Sequence, residues 1–216
     1  MRTIAIGDIH GCSLALATLL EEIRPAADDT FIFMGDYIDR GPNSRSVIEQ
    51  IIELSNRATV IPLLGNHEVL LLASLDQGEP NPFWLERCGG EETLISYGGE
   101  LNQFPDEHAQ FIRSCRRWHE TATHFYIHAN YYPDQPIDSQ PENIALWHHL
   151  TAFLPQPHFS GKIAVVGHTP QRSGDVLNLG HLICIDTGCY AGGWLTAMNI
   201  DSGQTWQANR FGELRR

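Results

Sequence analysis

The sequence predicts an α/β fold organised on a sheet whose leading strands run parallel, and three observations carry that prediction. Short apolar runs alternate with helical periodicities through the first third of the chain in the order βαβαβα, which requires right-handed crossovers. Each of the three apolar runs breaks at a glycine-marked turn. Each turn also brings metal-capable side chains: Asp8 and His10, then Asp36 and Asp39, then Asn66, His67 and Glu68, spaced 28 and 30 residues apart from Asp8 to Asp36 to Asn66. Open α/β sheets bind ligands at the carboxyl ends of their strands, so the three turns are expected on one edge of one sheet.

The elements follow in order. Thr3 to Ile6 reads as a buried strand ended by Gly7, and Leu16, Leu19, Leu20 and Ile23 then recur at helical spacing. Thr30 to Met34 is the second strand, and Ser44 to Leu54 a helix with Ile48, Ile51 and Ile52 on one face. Val60 to Leu64 is the third strand and Val69 to Leu75 a leucine-rich helix. Residues 76–118 are punctuated by Pro80, Pro82, Gly89, Gly90, Gly98, Gly99 and Pro105. They read as a helical excursion, too short and broken to own a core, within one domain spanning 1–216. The sheet resumes at Thr123 to Ala129. A loop from Tyr131 to Pro141 leads to a short helix around Ile144 to Phe153. Late strands are expected at Lys162 to Val166, Leu182 to Asp186 and Trp194 to Ile200, with Asp201-Ser202-Gly203 turning into Thr205-Trp206-Gln207. The second half is therefore expected to be strand-rich and mostly antiparallel.

Composition narrows the function. A formal net charge of −12 disfavours a nucleic-acid partner, whose backbone requires Lys and Arg to displace counterions. The five cysteines form no CxxC pair and fit a reducing, cytoplasmic setting rather than a disulfide framework. No leader is expected before the first strand, and no apolar run approaches the roughly 20 residues of a membrane helix.

Asp8 and His10 are two apart, so at a strand end both side chains face the same way. Gly35 to Gly41 places two carboxylates and a guanidinium within five positions, a costly set to bury for stability alone. Arg40 offers a planar fork suited to phosphate oxygens. Asn66 and His67 follow the third strand directly, and His128 and His168 end two later ones. Carboxylate, imidazole and amide together make an oxygen/nitrogen site for divalent cations rather than a thiolate cage. His108, His119, His124, His158 and His181 lack such a setting, and no role is expected for them.

These stretches, GDIHG, GDYIDRG, GNHE, IHA, GHTP and IDTGCYAGGWLTA, run in order over residues 7 to about 198. Together they resemble the phosphoprotein phosphatase family of metallophosphoesterases, and most closely its compact bacterial and phage members. The resemblance implies a calcineurin-like β-sandwich of mixed sheets flanked by helices, with two divalent metals at the sheet edge. Manganese is expected there, with iron or zinc as alternatives. It further implies that Asp8 and His10 hold one metal, that Asn66, His128 and His168 hold the other, and that Asp36 bridges them. His67 would be the general acid, oriented by Asp39, and Arg40 would clamp the phosphoryl group. Two cations about 3.5–4 Å apart stabilise the attacking and leaving oxygens of an in-line displacement and acidify a bridging water. With Asp8, Asp36 and a bridging hydroxide counted, such a centre keeps about +1, attractive to a phosphate dianion.

The chain also departs from the family. A second phosphate-binding arginine usually follows a tryptophan between the two late histidines, whereas here Trp147 is followed by His148 and His149. His149 is the expected substitute. Asn130 stands where glycine usually follows the His-Ala pair, which bears on the loop and the substrate. The expected function is that of a serine/threonine protein phosphatase acting on a phosphorylated protein or a small phosphoester. The alternative is a dinucleoside polyphosphate hydrolase, favoured less because that branch commonly lacks the aspartate at position 39. An inactive metal-binding scaffold is the reading from another class.

Overall fold

Alternation along each strand sorts the apolar residues onto two faces and so dictates a layered molecule. The computed structural model describes all residues from Met1 to Arg216. In β1 (Thr3–Ile6) and β2 (Thr30–Phe33), Ile4, Ile6, Phe31 and Phe33 face helices, while Ala5 and Ile32 face a second sheet. The first sheet also contains β3 (Thr59–Pro62), β9 (Leu195–Asn199) and β10 (Thr205–Ala208), in the order β10-β9-β1-β2-β3. The second comprises β4 (Trp118–Glu120), β5 (His124–Ile127), β6 (Ile163–Val166), β7 (Leu177–Asn178) and β8 (Leu182–Cys184), in the order β4-β5-β6-β8-β7. Between the sheets lies an apolar layer that includes Ala5, Ile32, Ile61, Tyr126, Val165, Ile183 and Met198. The fold is α/β, two mixed sheets flanked by helices.

Helices α1 (Ser13–Ile23) and α2 (Ser44–Ser55) cover the outer face of the first sheet with Leu16, Leu19, Val47, Ile48 and Ile51, all fully buried. Burying such a side chain stabilises by roughly 1.5–3 kcal/mol. Asn43 starts α2 by accepting the Ser46 N–H at 3.0 Å, and glycine at position 78 ends α3 (Asn66–Gln77) in the left-handed conformation. The expected excursion holds α4 (Pro82–Cys88), α5 (Gly90–Ser96) and α6 (Asp106–Ser114). Its Trp84, Leu94, Tyr97, Phe104 and Ile112 join the same 29-residue cluster as Ile4 and Phe33. On the far side, α7 (Glu142–Trp147) packs Ala145 and Leu146 over Phe125, Ile127 and Val166 of the second sheet.

Two expectations need correction. The second half is less antiparallel than expected, because β5, β6 and β8 pair in parallel at the centre of their sheet. Ala164 on one face and Val165 on the other are both fully buried, as befits parallel strands covered on both sides. The helix expected to reach Phe153 stops at Trp147, since His148 is extended at φ −89° and ψ 110°. Leu150 N–H then bonds to Thr169 Oγ1 at 3.0 Å, which draws residues 148–150 toward the end of β6.

Candidate metal centre and cleft

Parallel pairing of β1, β2 and β3 (Ile6 opposite Phe33, Phe33 opposite Pro62) sets their carboxyl ends side by side. Asp8, Asp36 and Asn66 lie just beyond those ends. His128 and His168 follow β5 and β6, which are parallel neighbours in the second sheet. The two sheets therefore deliver five residues to one place from two directions. His10 joins them, since its ring lies 4.7 Å from that of His67 and its Nε2 is 3.5 Å from Asp36 Oδ2. All are nine-tenths or more buried.

The third segment is not a free turn. Asn66, His67 and Glu68 form the first turn of α3, where unpaired backbone N–H groups favour negative charge. The His67 N–H donates to Asp36 Oδ1 at 3.3 Å. Glu68, fully buried, accepts N–H bonds from Asp36, Tyr37, Ile38 and Gly65 at 2.8–3.4 Å. All four partners are donors, which a carboxylate alone can satisfy, so Glu68 ties the second turn to the third. Backbone strain gathers at the same place. Six non-glycine residues have left-handed φ, and five of them are His10 (44°), Asp36 (51°), Asp39 (71°), Arg40 (67°) and His168 (61°).

The donor set fits divalent cations. His128 Nδ1 donates to Met34 O at 2.7 Å, so its Nε2 is a bare lone pair. That lone pair faces Asn66 Oδ1 at 3.1 Å, His168 Nδ1 at 3.2 Å and Asp36 Oδ1 at 3.5 Å. Acceptors confronting one another with no proton between them are what a cation relieves. His10 shows the same tautomer, donating Nδ1–H to Ile38 O at 2.9 Å. Backbone carbonyls holding the other ring nitrogen are the usual orienting contacts of a metal-binding histidine. Asp8 Oδ1 is buried without any partner, while Oδ2 accepts the His168 N–H at 2.8 Å. Burial, then Asp186 and Asp36, raise Asp8 well above the usual carboxylate range. Burial pushes Asp186 up to about 7. Burial also opposes the Asp36 charge, but the surrounding His128, His67, His10 and His168 hold that carboxyl well down. Burial above all, with His128 close beside it, brings His168 down to about 3, leaving its ring neutral. Two overlapping sets, His10 with Asp36 and His67, and Asp36 with His128 and His168, each converge within 4.8 Å.

His67 differs from the other histidines. Its Nδ1 donates to Asp39 Oδ2 at 2.6 Å, and that carboxylate also accepts Trp84 Nε1 at 2.8 Å and Thr93 Oγ1 at 2.6 Å. Burial disfavours the His67 charge, yet Asp36 and Asp39 outweigh it and raise its pKa. The Asp39 N–H donates to Thr93 Oγ1 at 2.9 Å, so α4 and α5 hold the aspartate from both ends.

A cleft of about 420 Å³ opens over these groups, walled by Asp36, Asn66, His67 and His168, by Arg40 and Tyr190, and by Phe83, Arg87 and Trp147 at its mouth. Arg40 lies 4.5 Å over the Tyr190 ring, and its Nη1 donates to His10 Nε2 at 2.9 Å. His149 lines the cleft but stacks on His168 at 4.3 Å, and burial followed by the Arg40 charge lowers its pKa. Through His149, Pro170 and Tyr190 the cleft continues into a larger cavity of about 700 Å³.

The architecture, the strand-end residues and their order coincide with one family, whose description, calcineurin-like phosphoesterase, matches residues 1–199. The chain belongs to the calcineurin-like phosphoesterases. Within that family, 70 of its residues are 44% identical to a symmetrical bis(5'-nucleosyl)-tetraphosphatase of Burkholderia pseudomallei, a match covering 32% of this chain and 24% of that protein. The match thus spans about a quarter of the length of that relative. A crystal structure of a candidate diadenosine tetraphosphatase superposes with a TM-score of 0.75 at 21% identity, over 96% of this chain and 92% of that one. The cold-active protein-tyrosine phosphatase of a psychrophilic Shewanella superposes with a TM-score of 0.71 at 18% identity, over 99% and 79%. At such identities the likeness is one of fold.

Sequence reasoning did not find Trp84, Thr93, Tyr190 or Asp186. Glu68, grouped by the sequence with the metal-capable side chains, instead spends both carboxylate oxygens on backbone N–H groups, as a glutamate three residues after a helix-starting Gly65 can when it reaches back to the N-cap.

Proposed function

We propose that this chain is a metal-dependent phosphomonoesterase, acting on phosphoserine or phosphothreonine of a protein. The observation that carries this reading is the 2.6 Å bond from His67 Nδ1 to Asp39, braced by Trp84 and Thr93. A serine alkoxide is a poor leaving group and requires a proton as the ester bond breaks. Asp39 orients the imidazole so that Nε2 faces the cleft, and its charge stabilises the imidazolium that donates there. The phosphate leaving groups of a dinucleoside polyphosphate need no such donor.

Asp8 and His10 would hold one divalent ion, Asn66, His128 and His168 the other, and Asp36 both. Manganese is the first choice, with iron or zinc as alternatives. When bound, the ions supply Lewis acidity and the charge that offsets the phosphoryl oxygens. Arg40, held by Tyr190, turns its fork toward the same space and would grip those oxygens. The helix N-terminus at Asn66 adds a fixed positive field.

The name of the Burkholderia relative favours a second reading, hydrolysis of dinucleoside tetraphosphates. One manganese-loaded preparation assayed on a phosphoserine peptide, a phosphotyrosine peptide and diadenosine tetraphosphate separates the two. Faster cleavage of the dinucleotide would overturn the first reading. His67→Asn should slow the phosphoserine peptide by about 10²–10⁴-fold. Absence of any turnover, even of p-nitrophenyl phosphate, would favour the inactive scaffold.

A further inference from the structure

We infer that Arg87, carried by α4, is a second phosphate-binding guanidinium of this cleft. The inference rests on the phosphoester reading of the site and concerns which residue completes it. Of the side chains lining the 420 Å³ cleft, only Arg40 and Arg87 are lysine or arginine. Arg40 lies over Tyr190 on one wall of the cleft, and Arg87 comes from α4. Arg87 is exposed and makes neither a hydrogen bond nor an ion pair, so nothing competes for its five N–H donors. The residues after Trp147 add no guanidinium, and His149 lies stacked on the His168 ring.

Although the Arg87 side chain is free, its base is not. The carbonyl of Gly89 accepts the Arg40 N–H at 3.1 Å, and Trp84 Nε1 donates to Asp39. This helix of about two turns, with the glycine that caps it, is thus pinned to both members of the Asp39-Arg40 pair. Gly89 itself has left-handed φ of 85°, and a Cβ there would lie 2.5 Å from the Arg40 nitrogen. The chain closes so tightly on Arg40 that α4 can take few other positions. Phe83 and Arg87 are four residues apart and share one face of α4, the face that meets the cleft. A tetrahedral anion has oxygens enough for two forks approaching from different walls, and planar guanidinium groups suit them.

Inorganic phosphate is the probe, which makes the experiment independent of the natural substrate. Its binding to manganese-loaded protein is measured by titration calorimetry at about 0.15 M salt, so that distant charges are screened. Its competitive inhibition of p-nitrophenyl phosphate hydrolysis is measured in parallel. Arg87→Ala should weaken both by about tenfold and Arg87→Lys by about threefold, because a point charge replaces only part of a fork. The control is Arg172→Ala, which removes an exposed guanidinium from the neighbouring 700 Å³ cavity and should leave both constants within about twofold. Unchanged constants in Arg87→Ala would overturn the inference. So would an equal loss in the Arg172 variant, which would make the effect one of general field. Wild-type protein that binds no phosphate would overturn the phosphoester reading together with this one, whereas a selective failure at Arg87 leaves that reading standing.

Discussion

Replacing Trp84 by phenylalanine tests whether α4 supports the chemistry or only fills space. The indole is fully buried and its Nε1 donates to Asp39 at 2.8 Å. A hydrogen bond to a carboxylate contributes about 1.5–3 kcal/mol. The smaller ring also leaves a void against Gly90, whose Cβ position is 2.5 Å from the indole, and a void of that kind costs about 1–2 kcal/mol. Stability should therefore fall by about 2.5–5 kcal/mol, read as a lower urea midpoint with an unchanged slope. Asp39 keeps His67 and Thr93, so the pair survives but is held less firmly. If about 1.4 kcal/mol of that looseness reaches the transition state, kcat on a phosphoserine peptide falls about tenfold. p-Nitrophenyl phosphate has a leaving group that departs without a proton, and its kcat should change by less than about threefold. Equal losses on both substrates would refute the argument, because they would place the effect in the fold or the metals rather than in the His67 donor.

Three further outcomes are expected. Asn66→Asp adds a negative charge to the site and should weaken product-phosphate inhibition beyond any change in metal affinity; unchanged inhibition in metal-saturated enzyme would contradict this. In Gly167→Ala the new Cβ would lie 2.1 Å from Asp8 Oδ1, so manganese affinity by calorimetry should drop about 10–100-fold in a protein with wild-type circular dichroism. Asp29, nearly fully buried, accepts Arg2 Nε at 3.1 Å and the Ala26 N–H at 2.9 Å, and the bonds from Arg2 above all lower its pKa from 3.8 to about 2. A depressed folded-state pKa contributes stability above the unfolded value that is lost as pH falls toward 2. Screened by solvent at the part-exposed Arg2, that contribution is on the order of 1–2 kcal/mol, so Asp29→Ala should destabilise at pH 7 by roughly that amount and by much less near pH 2.

What could be read in advance depended on how local the cause was. Asp8, Asp36 and Asn66 were legible because a short apolar run, a glycine and a ligand-type residue lie within a few positions of one another. The parallel core of the second sheet was not. Its strands are three or four residues long, and whether Ala164 and Val165 are covered on both faces depends on α7 and on the other sheet. The support of Asp39 was equally hidden, since Trp84 and Thr93 come from 45 and 54 residues away in a segment with no periodic pattern of its own. Tyr190 lay in plain view within a quoted stretch, but its place under Arg40 is a tertiary fact.

The left-handed backbone at His10, Asp36, Asp39, Arg40 and His168 has a consequence for how this protein could change over time. A side chain held in that region costs on the order of 1 kcal/mol or more, a cost that glycine escapes. Any one of the five exchanged for glycine would relax the local strain while deleting a group that the proposed function uses. Drift without selection for hydrolysis should therefore reach these positions early, yielding inert descendants with firmer backbones. Imidazole, carboxylate and guanidinium on such unfavourable ground are held there by the packing around them, not by any preference of their own backbone.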